Sequence, residues 1–225
     1  MISNFRKTLV LGLLLGCGTA MAGGMTTEPM QPVSNYDGFY LGGDVGGMGF
    51  TSDRHGYNTT ADDTRDLGDI DVQGGGLLGY DFTLSNHFKL GLEGFIADDQ
   101  IANIFTNNIS GAQYQMKLRY NWGVRVLPGY EFSEGTVAHL VLAYSDAYFN
   151  ESDTGFNTVL ASTNFDKGGF QTGLGVTTPL AGNFFMRVDA LYTMYGTHTN
   201  TGSTVTYRSY LSTMEGDFGI TYKFV

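Results

Sequence analysis

Between Tyr114 and Phe132, apolar and polar residues alternate along the chain. The apolar and aromatic set comprises Tyr114, Met116, Leu118, Tyr120, Trp122, Val124, Val126, Pro128, Tyr130 and Phe132, and the intervening set comprises Gln115, Lys117, Arg119, Asn121, Gly123, Arg125, Gly129 and Glu131. Because successive side chains of an extended chain point to opposite faces, this period predicts a long β-strand with one oily and one charged surface. A charged surface cannot face lipid, and an aromatic surface of this length is unusual in water. The pattern is therefore typical of a strand in a transmembrane β-barrel.

Seven further stretches have the same two-residue period, so the sequence predicts eight strands. They are the stretch that begins at Gly38, Asp71–Phe82, Phe88–Asp99, the stretch around Leu140–Ser145, Gly168–Thr178, Phe184–Met194 and Tyr210–Phe224. In each of them the apolar residues share one face, and the charged residues and many glycines share the other. The first strand, for example, places Phe39, Leu41 and Val45 opposite Tyr40 and Asp44.

The connections between these strands alternate in length. Polar stretches without an apolar period predict long loops at Thr51–Ile70, Asn103–Gly111, Asn150–Phe165 and Gly196–Tyr207, and tight turns at Leu84–His87, Ser133–Gly135 and Pro179–Asn183. Short periplasmic turns and long external loops alternate in this way in barrels with an even number of strands. The predicted fold is an all-β, eight-stranded, antiparallel, up-and-down transmembrane β-barrel with four long external loops and both ends in the periplasm.

The aromatic residues are spaced as two membrane interfaces require. Ten residue steps of about 3.4 Å separate Tyr120 from Tyr130, and a strand tilt of about 40° projects them to roughly 26 Å, close to the height of an outer-membrane apolar band. The predicted aromatic girdle comprises Tyr120, Trp122, Tyr130, Phe132, Tyr222 and Phe224.

The N-terminal residues are typical of a secretion signal. Arg6 and Lys7 precede the apolar run Leu9–Leu15, and Ala20-Met21-Ala22 forms a small-x-small cleavage site. We therefore expect a signal peptide at residues 1–22, a polar periplasmic tail at 23–36 and a barrel domain at 37–225. An alternative is lipidation of Cys17, because Leu14-Leu15-Gly16-Cys17 resembles a lipoprotein processing site; the bulky Leu15 and the good ordinary site that follows favour ordinary cleavage.

Composition and charge restrict the function. Charged residues are 15% of the chain, aromatic residues are 14% and glycines number 33, a combination that few soluble domains share, although an all-β sandwich is not excluded by composition alone. Loss of Arg6 and Lys7 with the signal takes the net charge from −10 to −12, which makes nucleic acid an improbable partner. The single cysteine lies in the signal, so the mature chain is expected to contain no disulfide. No stretch beyond the signal is apolar enough for a membrane helix, so any spanning falls to strands.

The inward charges predict an ion-pair network that fills the lumen, because the interior of an eight-stranded barrel is just wide enough for side chains. The expected members are Asp44, Glu93, Arg119, Arg125, Arg187, Asp189, Glu215 and Asp217. Loop positions suggest that Arg187 lies opposite Asp217, and that Glu93 lies level with Asn121, within reach of Arg119 or Arg125. The alternative is that these charges line a narrow diffusion channel.

Catalytic and metal-binding patterns are weak. A histidine two residues before a serine on a strand, with a carboxylate to orient it, would indicate lipid deacylation, but no such pair occurs: His87 lies in a turn, His55 and His198 in predicted loops, and His139 faces inward. The acidic residues of the first loop do not have the spacing of a calcium loop; they are Asp62, Asp63, Asp66, Asp69 and Asp71. We predict no enzymatic activity and no cofactor. A soluble lipocalin-like barrel, with its apolar face inward, is the remaining architectural alternative.

Several motifs carry a family resemblance. Tyr36–Gly43 (YDGFYLGG), Leu78–Phe82 (LGYDF) with Leu90–Gly94 (LGLEG), Leu127–Tyr130 (LPGY) and Gly219–Phe224 (GITYKF) together resemble the small outer-membrane barrels of the OmpA/OmpX and opacity-protein kind. The resemblance covers nearly the whole mature chain. It implies a monomer in the outer membrane of a Gram-negative bacterium, in contact with lipid and lipopolysaccharide and inserted by the barrel assembly machinery through its last strand.

The resemblance also sets expectations for function. We expect a structural or surface protein that presents its loops for envelope integrity, adhesion or contact with a host or phage receptor. A porin-like narrow diffusion channel is the alternative. A third possibility is an enzyme that modifies lipid A, as some relatives do.

Overall fold

The computed structural model of the protein describes residues 37–57, 62–85, 87–106, 113–133, 135–154, 163–201 and 206–224. The expected signal peptide and periplasmic tail, and with them Cys17, lie outside these ranges. The strands are β1 (Gly38–Tyr57), β2 (Asp62–Thr83), β3 (Phe88–Asp98), β4 (Ala102–Thr106), β5 (Gln113–Ser133), β6 (Thr136–Thr154), β7 (Thr163–Ala181), β8 (Phe184–Thr201) and β9 (Thr206–Phe224). Within the described part of the chain, no helix combines the length and hydropathy needed to cross a membrane.

The strands form a closed antiparallel ring. Strands that follow one another in the chain pair, except that β3 and β4 both pair with β5, and β1 pairs with β9. Since β4 follows β3 along the same edge of β5, the nine strands occupy eight positions around the ring. The predicted all-β, eight-stranded, antiparallel barrel is thus confirmed.

The two faces of the sheet also follow the predicted alternation over most of the ring. Outward apolar side chains are exposed, as shown by Phe39 at 61% and Val124 at 60% of their full accessible surface. Inward neighbours such as Tyr40 and Arg125 are buried. A soluble lipocalin-like barrel would have the opposite arrangement, because its apolar residues face the interior.

The predicted outward face of β5 is wrong at its outer end. Tyr114, Met116 and Leu118 are almost fully buried inside the ring, whereas Tyr120 and the residues that alternate with it toward Tyr130 face outward. The pairing of β5 with β6 shifts between Leu118 and Tyr120, which makes Arg119 the extra residue of a β-bulge. One additional residue inverts the faces of the strand, so the two halves of a continuous alternation point to opposite sides.

The long connections contain more regular structure than the sequence pattern indicates. Thr51–Tyr57 pairs with Asp62–Gly68, and Thr197–Thr201 pairs with Thr206–Tyr210. The four predicted loops are therefore corrected: they are largely extensions of the strands, and only residues 58–61, 107–112, 155–162 and 202–205 lie outside the described residues.

Beyond the membrane the outer face contacts water, so an outward apolar period is not required there.

The predicted tight turns are confirmed. Gly135 and Gly182 hold the turns before β6 and β8 at φ values of 81° and 54°, a left-handed region that favours glycine.

The interior of the ring has an apolar layer above a polar one. At the outer end, side chains from β1, β5, β6, β8 and β9 and from the β3–β4 link form one buried cluster. Its members are Met48, Phe50, Ile101, Tyr114, Met116, Leu118, Ala147, Phe149, Tyr195 and Leu211. Toward the periplasmic end, the inward positions are mainly charged or polar. This polar layer contains the members of the predicted ion-pair network other than Arg119.

Candidate functional site in the barrel lumen

The centre of the polar layer is a chain of charged side chains that crosses the lumen. Each comes from an inward position of its strand: Glu93 from β3, Arg125 from β5, and Arg187 and Asp189 from β8. Arg125 Nη1 lies 3.2 Å from Glu93 Oε1, Arg187 Nη1 donates to Glu93 Oε2, and Arg187 Nε donates to Asp189 Oδ2 at 2.5 Å. Both oxygens of Glu93 are therefore engaged by guanidinium groups.

Neighbouring side chains add hydrogen bonds to this chain. The Tyr40 hydroxyl donates to Glu93 Oε2 at 3.0 Å, and His139 Nε2 lies 3.0 Å from Asp189 Oδ1. Arg125 Nε donates to Gln171 Oε1 at 3.0 Å, and its guanidinium lies 3.9 Å from the centre of the Phe95 ring. Buried charges are tolerated when they are paired. Each charge of this chain is paired, although Arg187 Nη2 has no hydrogen-bond partner among the described residues.

A second set of ion pairs lies closer to the periplasmic end. Lys223 Nζ is 2.6 Å from Asp81 Oδ2, and Lys89 Nζ is 3.1 Å from Glu131 Oε2. The prediction from the sequence did not include these four residues. They occupy inward positions of the same alternation, so the period alone could have identified them had the search extended to the ends of the strands.

Several predicted pairings are wrong in register. Arg187 lies opposite Gly219 rather than Asp217, while Asp217 lies opposite Asp189. The β8–β9 hairpin turns later than the loop position suggested, and the irregularity between Met194 and Gly196 shifts the pairing back by only one residue.

The same kind of error affects β3 and β5. Glu93 lies opposite Arg125, not opposite Asn121, so Arg125 is the arginine that reaches it. Arg119 is not in the lumen at all, because the bulge turns its exposed side chain outward.

The remaining predicted members lie in the lumen without basic partners. Thr213 Oγ1 donates to Glu215 Oε1 at 2.7 Å, and Gln73 Nε2 donates to Asp217 Oδ1 at 2.7 Å. Among the described residues, no ion pair includes Asp44, Glu215 or Asp217. The sequence therefore placed these acids correctly on the inner face but did not reveal that Glu215 and Asp217 accept hydrogen bonds from neutral side chains.

The lumen is filled at two levels. The outer apolar cluster, represented by Phe50 and Phe149 with ring centres 5.8 Å apart, lies above the ionic chain. A cavity of about 30 Å³ at the periplasmic end is lined by Lys89, His139 and Arg187, among others, and has room for about two water molecules. Ion-paired side chains and the apolar cluster above them therefore both occupy the lumen.

The structure shows few features of a metal or catalytic centre. The described residues contain no group of three or more His, Cys, Asp or Glu side chains that could hold a metal ion. In the acidic segment, Asp69 and Asp71 are exposed and each accepts a hydrogen bond from the following backbone N–H, at 2.9 and 2.8 Å. The side chains of Asp62, Asp63 and Asp66 lie outside the described residues.

The histidines outside the lumen occupy varied positions. His87 is in the turn before β3, as predicted, whereas His55 and His198 lie in strands rather than loops.

The aromatic side chains selected from the sequence all lie on the outer face. Tyr120, Trp122, Tyr130, Phe132, Tyr222 and Phe224 are between 38% and 61% exposed. At the outer end, Tyr120 is stacked on Tyr148 with ring centres 5.3 Å apart. At the other end, Tyr222 makes edge contacts with Phe184 and Phe224, each at 5.1 Å. The apolar band of the sheet therefore has an aromatic cluster at each end.

Comparison with known proteins identifies the family. Residues 10–224 match the model of the outer membrane protein beta-barrel domain. The chain belongs to this family. Among solved structures, Neisserial surface protein A is 13% identical with a TM-score of 0.46, over 83% of this chain and 97% of that one.

Two further outer-membrane proteins are also similar. Ail, the attachment invasion locus protein of Yersinia pestis, is 14% identical with a TM-score of 0.31 over 78% of this chain and 99% of its own. The outer membrane protease OmpT of Escherichia coli is 7% identical with a TM-score of 0.45 over 88% and 99%. No curated protein matches the sequence.

Membership of the outer-membrane β-barrel family shows which part of the protein surface contacts lipid. The protein lies in the bacterial outer membrane, so the band between the aromatic clusters contacts lipid, as the exposed Val124 and Leu174 require. The ionic chain then crosses the lumen at the depth of that band, where an unpaired charge would be most costly.

Proposed function

We propose that the protein is a non-conducting, monomeric surface protein that stabilises the outer membrane and presents its external hairpins to a host cell, a phage or lipopolysaccharide. The observation that carries the proposal is the double closure of the lumen, by the Glu93–Arg187 chain and by the apolar cluster above it. A filled interior favours a function on the outside of the barrel. Insertion through β9 by the barrel assembly machinery belongs to the same proposal.

The external ends of the strands support a role in recognition, because they are held against one another. The Phe149 and Phe165 rings are stacked with centres 5.3 Å apart, and Phe165 is stacked on His198 at 3.6 Å. Lys167 Nζ donates to the Thr197 carbonyl at 2.9 Å. These contacts join the β6–β7 hairpin to the β8–β9 hairpin. A surface that is ordered before it meets a partner loses less conformational entropy on binding.

The proposal includes no catalytic activity. His139, which faces the lumen, is buried and directs its Nε2 toward Asp189, on the ion-pair chain. This contact is accounted for by closure of the lumen. Incubation of the purified protein with lipid A, followed by mass spectrometry, should leave the lipid unchanged.

The test compares bacteria that carry the wild-type gene, a deletion, or a variant in which residues 155–162 are replaced by an eight-residue Gly/Ser segment. This replacement retains the length of the β6–β7 connection and removes its side-chain chemistry. Replacement of residues 107–112 by a six-residue Gly/Ser segment is the matched control for the effect of substituting a loop. We measure adherence to cultured epithelial cells and growth in detergent.

The proposal expects the deletion to impair adherence or detergent resistance. It expects the 155–162 variant, at wild-type abundance in the outer membrane, to lose adherence and retain detergent resistance. A deletion strain that matches the wild type in both measurements would overturn it.

A further inference from the structure

Acidic side chains are matched by basic side chains in one part of the lumen but not in the other. Toward the periplasmic end, each basic side chain has an acidic partner: Lys89 pairs with Glu131, Lys223 with Asp81, and Arg125 and Arg187 with Glu93 and Asp189. Toward the outer apolar cluster, four inward acids have no ion pair among the described residues. They are Asp44, Asp99, Glu215 and Asp217. Arg125 acts electrostatically on three of these acids, Asp44, Glu215 and Asp217, but forms its ion pair with Glu93.

Three side chains in the same region have unpartnered oxygen atoms. Asp99 and Asn121 are each 1% exposed, and Gln73 is 6% exposed. Within the described part of the chain, Asp99 Oδ1 and Oδ2, Asn121 Oδ1 and Gln73 Oε1 accept no hydrogen bond. Asn121 Nδ2 is also without a partner, so this amide presents a free oxygen in either orientation. A buried polar atom without a partner costs about 1–3 kcal/mol, and a charged one costs more.

The strand register brings these three residues together. Gly74 of β2 pairs with Asp98 of β3, so Gln73 and Asp99 follow on facing strands at the next level. Asn121 of β5 pairs with Ala97, and Asp99 N–H donates to the Arg119 carbonyl at 3.0 Å, which places Asn121 and Asp99 one inward position apart.

The other acids of this region act on the same point. Glu215 and Asp217 are the carboxylates with the strongest electrostatic effect on Asp99. Gln73, whose Nε2 donates to Asp217 Oδ1 at 2.7 Å, keeps its own oxygen unpartnered. The acids thus place a negative potential around the unpartnered oxygen atoms of the three side chains. The repulsion between the carboxylates falls when a cation lies among them.

We propose that Asp99, Asn121 and Gln73 bind a calcium ion inside the barrel, between the ionic chain and the outer apolar cluster. Ca²⁺ takes six to eight oxygen ligands from carboxylates, side-chain amides and water in a flexible arrangement. One carboxylate and two amide oxygens, completed by water, form such a set. Mg²⁺ fits less well, because it requires a near-ideal octahedron and retains most of its water.

The experiment uses the protein refolded into vesicles of dilauroylphosphatidylcholine, whose headgroups carry no net charge. Refolding in the presence or absence of CaCl₂ lets the ion enter before the lumen closes. Urea unfolding is then measured over a series of free Ca²⁺ concentrations. A single site that exists only in the folded protein lowers the unfolding equilibrium constant about tenfold for each tenfold rise in Ca²⁺ above saturation.

Two adjacent acids provide a matched pair of variants. Asp99→Asn removes the central carboxylate with little change of shape, and Asp98→Asn changes the exposed neighbour on the other face of the strand. We expect the wild type and Asp98→Asn to respond equally to Ca²⁺, and Asp99→Asn to lose the response. In EDTA, Asp99→Asn should unfold at a higher urea concentration than the wild type, because it removes one of the repelling charges.

Three results would overturn the proposal. One is a Ca²⁺ response that persists in Asp99→Asn, which would assign the effect to the acidic surface. Another is the absence of this Ca²⁺-dependent stabilisation in the wild type, which would leave water molecules to satisfy the three side chains. An equal response to MgCl₂ would likewise contradict a calcium site.

Discussion

Arg187 on β8 donates to Glu93 on β3 from the opposite side of the ring, across 94 residues of sequence. The two strands are separated by four steps in either direction around the eight positions of the barrel. The contact therefore joins strands on opposite sides of the barrel rather than neighbouring strands. It connects the two opposite walls of the barrel through the lumen.

This contact predicts a large stability effect at Arg187. Arg187→Ala leaves Glu93 and Asp189 in the lumen without one of their cations, and removal of one member of a buried pair costs about 3–5 kcal/mol. We expect the urea midpoint of the refolded protein to fall correspondingly. Arg119→Ala is the matched control, because Arg119 is exposed, and a surface change of this kind is expected to stay within about 0.5 kcal/mol. Equal effects of the two substitutions would contradict the placement of Arg187.

Because Val124 lies on the lipid-facing surface, we predict that a charge at this position lowers the free energy of unfolding. This side chain is 60% exposed and lies between the aromatic clusters on β5. Val124→Arg should destabilise the barrel by about 2–4 kcal/mol if it lies near the bilayer midplane, and Val124→Leu should be nearly neutral. Urea unfolding in phosphatidylcholine vesicles measures both. An arginine variant as stable as the leucine variant would show that this face is not in lipid.

The topology predicts which connections are outside the cell. An epitope tag inserted between residues 59 and 60, in the β1–β2 connection, should bind antibody on intact bacteria. The same tag inserted after Ser85, in the β2–β3 turn, should bind only after permeabilisation. The reverse pattern would invert the orientation of the barrel.

His198 predicts a pH dependence at the external end of β8. Burial lowers the pKa of His198 below its ordinary value of 6.5, and the Glu151 carboxylate, 3.7 Å away, offsets only part of this effect, which Lys167 reinforces. The folded protein therefore binds fewer protons than the unfolded chain between the lowered pKa and about 6.5, so stability rises with pH across this window.

Replacement of His198 isolates this effect. The wild type should lose stability as the pH falls from 7 to 5, and His198→Gln should lose less of it. Parallel urea midpoints for the two proteins over this range would contradict the assignment.

The sequence revealed the fold because the membrane imposes a simple rule on it. Between the interfaces, outward residues must suit lipid and inward residues need not, so Val124 and Arg125 are distinguishable by type alone. Beyond the outer interface the rule reverses. Phe50 and Met116 are inside. The outward apolar rule therefore placed Met116 on the wrong face and interpreted Thr51–Tyr57 as part of a loop.

The site was only partly predictable for a related reason. Alternation gives the face of a residue but not its height, and pairing across the lumen depends on height. The bulge at Arg119 and the irregularity at Tyr195 each displace a strand by one residue without any break in the sequence pattern. The two-residue alternation predicts that Glu93 and Arg187 face the lumen. Their contact depends on the register of every strand between them.

Single-channel recording in planar bilayers tests the closed lumen most directly. The protein is purified from outer membranes, its folded state is verified by heat-modifiable mobility on a gel, and a known porin serves as the positive control in the same chamber. The closed ionic chain and the apolar cluster above it predict no steady conductance from the folded wild-type protein. Stable, reproducible conductance steps from that protein would contradict the closed lumen and favour a diffusion channel.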